Sequence, residues 1–74
     1  MNKIEIYTEY IPLDSFLKFC GVVSSGSEAK FLIKQGLISV NGEICTQRGK
    51  KLYNRDIVTL KDNDNNLNFM VEKG

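Results

Sequence analysis

Ser27, Lys30 and Lys34 stand three and four positions apart, so on a helix turning 100° per residue they share one face with Phe31. Two ammonium groups one turn apart, a hydroxyl and an aromatic ring suit a nucleic-acid backbone, which is met by cations along its path and planes that stack. The run Arg48-Gly49-Lys50-Lys51 follows closely enough to extend the same surface. Each feature also has a plainer reading. Lysine runs often do no more than solvate a face. Phe31 is expected to pack against the N-terminal strand, because an exposed Phe forfeits burial energy; stacking on a base or ribose is its other use.

The charge distribution favours the first reading. Ten Lys and Arg oppose nine Asp and Glu, a net charge of +1, but the charges are sorted along the chain. Residues 1–28 hold two cations and four acids, residues 29–55 six cations against Glu43 alone, and residues 56–74 two cations against four acids. A near-neutral domain with a basic middle third can offer a positive face to a polyanion without adhering to every acidic surface.

Several chemistries are excluded. There is no His, so the usual general base, proton shuttle and metal ligand are missing. Ser24, Ser25 and Ser27 have no base beside them, and lysines on an open helix face keep solvated ammonium groups rather than act as nucleophiles. Cys20 and Cys45 fit no C-x-x-C pattern, which argues against zinc and for buried, reduced thiols. Asp62, Asp64 and Asn66 open like a calcium loop, but Leu67 replaces the sharp-turn Gly and Lys73 the closing Glu. The expectation is no catalysis, no cofactor, no metal and no small-molecule substrate. Glu5 and Glu9 interrupt the first ten residues, which hold no apolar run and read neither as a leader nor as a membrane span; the cytoplasm is the expected compartment.

The positioning elements follow from spacing. A chain of 74 residues buries only about 60% of its unfolded surface, enough for one core and a single domain over 1–74. Ile4 and Ile6 alternate with polar neighbours, a strand over about 3–8 that ends before Pro12. Leu13, Phe16, Leu17 and Cys20 mark a first helix over about 13–20, closed by Gly21. Ser25 through Glu28 matches a capping box, in which the Glu carboxylate returns to the cap's own N–H; it opens a second helix with Ala29, Leu32 and Ile33 inward and Gly36 at its end. Asn41-Gly42 between Ile38-Ser39-Val40 and Glu43-Ile44-Cys45 signals a hairpin. A strict two-residue turn pairs Val40 with Glu43; one extra loop residue pairs it with Ile44, and both registers stay open. A turn at 54–56, a strand at 57–60, a five-residue loop at 62–66 and a closing strand at 67–71 complete the chain.

In this order the pieces resemble a known family. Leu13-Asp14-x-x-Leu17, the stretch Ser25-Gly26-Ser27-Glu28-Ala29-x-x-Leu32-Ile33-x-x-Gly36-x-Ile38-x-Val40-Asn41-Gly42, and Arg55-Asp56-x-Val58 are similar to the S-four RNA-binding domain over about residues 12–60. The short chain and the Arg48 to Tyr53 segment look like its stand-alone bacterial members of the YaaA and YbcJ type. The resemblance implies an α/β (α+β) fold, two short helices packed on a small bent, mainly antiparallel sheet. It also implies that structured RNA, ribosomal or transfer, meets Ser25, Ser27, Lys30 and Lys34 on helix two, with Asn41, Gly42, Arg48, Lys50 and Lys51 beside them. Two positions depart from the family pattern: Gly26 stands where many members carry Arg, and Arg55 where the turn is usually Gly, which shifts the positive-φ duty to Asn54.

Two functions are therefore in competition. The first is a non-catalytic RNA-binding protein whose partner is structured RNA, including a ribosomal particle. The second is a protein-interaction module that kept the fold and lost the RNA, with Phe31 and Tyr53 as interface anchors.

Overall fold

The computed structural model describes residues 2–74; Met1, the first residue of the expected domain span and of the stretch read for a leader, lies outside them. The order is β1 (Asn2–Ile6), β2 (Ile11–Pro12), α1 (Leu13–Phe19), α2 (Gly26–Lys34), β3 (Ile38–Val40), β4 (Glu43–Ile44), β5 (Lys51–Leu52), β6 (Ile57–Asp62) and β7 (Asn65–Lys73). Five strands form one sheet in the order β1-β7-β6-β3-β4, and β2 pairs with β5 in a separate ribbon. All pairs are antiparallel except β1 with β7, where Ile4 lies beside Val71. The α+β arrangement is the expected one.

Both helices end as glycine demands. Gly21 and Gly36 take φ of 81° and 75°, and in each case the next residue reaches back five positions, Val22 to the Leu17 carbonyl and Leu37 to the Leu32 carbonyl. Their beginnings differ. At α2 the Ser25 Oγ accepts from the Glu28 N–H at 3.2 Å, while the Glu28 carboxylate accepts from the Ser24 N–H at 2.8 Å. The box thus closes on the residue before the cap rather than on the cap itself. At α1 the capping position is Pro12, which has no side-chain acceptor to offer. The loop between β4 and β5 supplies the acceptors instead, with Leu13 N–H donating to the Lys50 carbonyl at 2.8 Å and Asp14 N–H to the Arg48 carbonyl at 3.0 Å.

The core lies between the helices and one sheet face. Leu13, Phe16 and Leu17 of α1 and Ala29 and Ile33 of α2 are buried with Ile6, Ile38, Val40, Leu52, Val58, Phe69 and Val71. Leu32 and both cysteines are only half-buried at its edge, each thiol donating to a backbone carbonyl. Burial pushes the Cys20 thiol above its ordinary range, which keeps it protonated.

Three turns decide the register. Asn41 and Gly42 take φ of 51° and 88°, a strict two-residue turn, so Val40 faces Glu43 and Ser39 faces Ile44. The expected loop at 62–66 is instead a tight turn at Asn63-Asp64 that pairs Asp62 with Asn65, and both flanking strands run longer than their apolar residues suggest. In the turn at 54–56 the left-handed residue is Arg55, with φ of 74°, and not Asn54. Asn54 uses its side chain otherwise, accepting from the Lys73 N–H at 2.9 Å.

Asp56 joins the two turns nearest the candidate site. Its Oδ2 accepts from the Tyr53 N–H at 2.7 Å and its Oδ1 from Asn41 Nδ2 at 3.1 Å, while Asn41 Oδ1 accepts from the Ile57 N–H at 2.9 Å. Asp56→Ala leaves two donors without their acceptor and is expected to cost about 1.5–3 kcal/mol in denaturant melts. Arg55→Gly removes the left-handed penalty of a residue with a Cβ, offset in part by a freer unfolded chain; it is expected to stabilise by about 0.5–1 kcal/mol. A lower melting temperature for that variant would contradict the strain assigned to Arg55.

Candidate nucleic-acid interface

On α2 the inward pull of Ala29 and Ile33 turns the other side of the helix to solvent, and Ser27, Lys30, Phe31 and Lys34 are all exposed there. Phe31 does not pack against the N-terminal strand: it is 60% exposed. The reason is angular. With Ala29 and Ile33 seated in the core, the ring two positions from each must point away. Ser25 is exposed as well, but its oxygen is engaged in the helix cap, which leaves its O–H proton to donate.

Two residues after Lys34 the chain passes β4 so closely that a methyl on Gly36 would meet Ile44 Cγ2 at 3.8 Å. Beyond the hairpin opens a groove of about 650 Å³, whose walls include Asn41, Glu43, Gln47, Lys50, Lys51 and Tyr53. Of the residues expected at the interface, Asn41, Lys50 and Lys51 therefore come together. Ser25, Ser27, Lys30 and Lys34 lie on the helix outside this groove, and neither Gly42 nor Arg48 lines it. Asn41 is committed largely to the fold, since its amide holds Asp56 and Ile57.

The cations are available to a partner. Among the described residues the one ion pair joins Lys73 to Glu9 at 2.7 Å, and it holds the Glu9 carboxyl below its ordinary range. Lys30, Lys34, Arg48, Lys50 and Lys51 have no carboxylate within 4.0 Å. Lys51 instead places its Nζ 4.9 Å from the centroid of the Tyr10 ring, and Tyr10 lies 6.0 Å from Tyr53 at an interplanar angle of 48°. Sequence reasoning missed Tyr10 and the linking role of Asp56. The signal for the first was weak: Tyr10 precedes a two-residue strand whose partner lies far along the chain, Ile11 opposite Leu52. Among the described residues no group of three or more Cys, Asp or Glu is placed to hold a metal ion. Among the described residues no helix is long and apolar enough to cross a membrane.

Comparison with known proteins agrees with this architecture. Over 60 residues, 81% of this chain and 84% of the relative, the sequence is 42% identical to a Bacillus subtilis (strain 168) protein named "Probable ribosome maturation protein RlbA". The model of the S4 domain family matches residues 4–67, a span that runs from β1 through both helices, the hairpin and the Arg55-Asp56 turn into β7. The chain belongs to the S4 domain family.

Proposed function

We propose that this protein is a non-catalytic RNA-binding protein of the bacterial cytoplasm that recognises structured RNA, ribosomal RNA or a ribosomal particle in particular, through α2 and the adjoining hairpin and loop. The observation that carries the reading is the set of five exposed cations, Lys30, Lys34, Arg48, Lys50 and Lys51, none paired with a carboxylate. Cations of the middle third with no carboxylate partner keep their attraction for phosphate, because no ion pair must be broken first. Membership of the S4 domain family and a relative named for ribosome maturation support the choice of RNA over other polyanions. Ser25, Ser27 and the Asn41-Gly42 turn would add hydrogen bonds to the sugar-phosphate backbone, which set orientation rather than sequence preference.

A second reading has one specific observation in its favour. Phe31 and Ile44 are 60% and 67% exposed, and the end of α2 adjoins β4, as a protein-docking face would require. Gly26, where many family members carry Arg, points the same way. Recovery of one stoichiometric protein partner after nuclease treatment would favour it.

The test is a salt titration with refolded ribosomal RNA. With roughly five phosphates engaged, log affinity is expected to fall against log salt with a slope of about −3 to −5. Lys30→Ala with Lys34→Ala is expected to weaken binding and to make that slope shallower by about 1.5. Stability should stay within about 0.5 kcal/mol of the parent, since both side chains are exposed. Undiminished binding in the double variant would place the interface elsewhere.

A further inference from the structure

We propose that the groove beside the hairpin holds one unstacked nucleotide of the bound RNA, its base on the Tyr53 ring and its phosphate at Lys50 and Lys51. The inference rests on the RNA-binding reading above and adds what selects the RNA. Tyr53 lines the groove and is 45% exposed, and its neighbour Tyr10 already has the Lys51 ammonium over its ring. The tilted Tyr10–Tyr53 pair braces Tyr53 from the side. The backbone braces it too: its N–H donates to Asp56 Oδ2 and its carbonyl accepts from the Asp56 N–H at 3.0 Å. A ring held in this way loses little freedom when a base settles on it.

The groove wall carries both cations and hydrogen-bonding groups. Lys50 and Lys51 supply the cations, Glu43 and Gln47 an acceptor and a donor for a base edge, while the Asn41 amide and the Asp56 carboxylate that also line the groove are taken up by one another and by backbone N–H groups. At about 650 Å³ the groove is within the range of small-ligand sites, and its open mouth admits a nucleotide still joined to its chain. A paired base cannot turn its face to a protein ring, so this site selects loops, bulges and ends over continuous duplex.

The experiment is ultraviolet crosslinking of the full chain to refolded ribosomal RNA, followed by nuclease and trypsin digestion and mass spectrometry. The expected result is a nucleotide adduct on Tyr53, within the tryptic peptide 52–55. Tyr53→Leu, which keeps bulk but not the π face, is expected to weaken binding by about fivefold to a hundredfold with an unchanged salt slope, while Tyr53→Phe retains it. An unchanged circular dichroism spectrum and melting temperature for Tyr53→Leu separate this loss from unfolding. Binding with adducts only on other peptides, such as that of Phe31, overturns the nucleotide site and leaves the RNA-binding reading standing. No binding and no adduct by the parent chain overturns both.

Discussion

Two backbone hydrogen bonds organise this molecule: the N–H groups of Leu13 and Asp14 donate to the carbonyls of Lys50 and Arg48. They exist because Pro12 begins α1 and brings no acceptor, while the first N–H groups of any helix need one. Leu13 and Phe16 are fully buried, so water cannot serve the start of this helix freely, and the chain meets the need with a distant loop. The outcome reaches beyond the helix. A basic run that would otherwise be a mobile surface loop is fixed by its own carbonyls, and its side chains are turned outward to solvent.

The same economy governs the other turns. Asn41 lies in the β3–β4 hairpin and Asp56 in the turn that leads from β5 into β6, yet one amide and one carboxylate hold both, and the strand start at Ile57 with them. Polar side chains at a turn usually serve their own backbone. Asp56 does so at Tyr53, but Asn41 accepts from the Ile57 N–H and donates to the Asp56 carboxylate, so the two turns that flank the groove are tied to one another. Arg55 accepts a left-handed backbone within this arrangement because the Asp56 bonds and its own N–H to the Val71 carbonyl leave it no other conformation.

Electrostatics then act on a surface already set by packing. Acids at both ends of the sequence spend little on neutralising the middle, for Glu9 pairs with Lys73 rather than with a cation of the middle third. The cations of the middle third stay in water, where they are inexpensive to keep. Lys51 alone is partly engaged, by the face of Tyr10, an attraction that orients the ammonium without cancelling its charge.

Much of this was legible in the residues. Apolar spacing marked both helices and named Leu13, Phe16, Leu17 and Cys20, and Ala29, Leu32 and Ile33, as their inner faces, of which Cys20 and Leu32 are only half-buried; glycine after each marked its end, because helix period and left-handed caps are local physics. Ser27, Lys30 and Lys34 were placed outward by the same arithmetic, although Phe31, on that very face, was expected inside on the strength of its hydrophobicity. What the sequence left undecided was long-range. The choice of Val40 opposite Glu43 depended on β3 being held at the same time by β6, with Val40 facing Val58. The capping of α1 by residues 48 and 50, the pairing of β2 with β5 and the meeting of Tyr10 with Tyr53 each join segments about 35 or more positions apart in sequence. A local pattern carries no term for such distances: they are settled only when the whole chain closes around one core and every buried donor must find its acceptor.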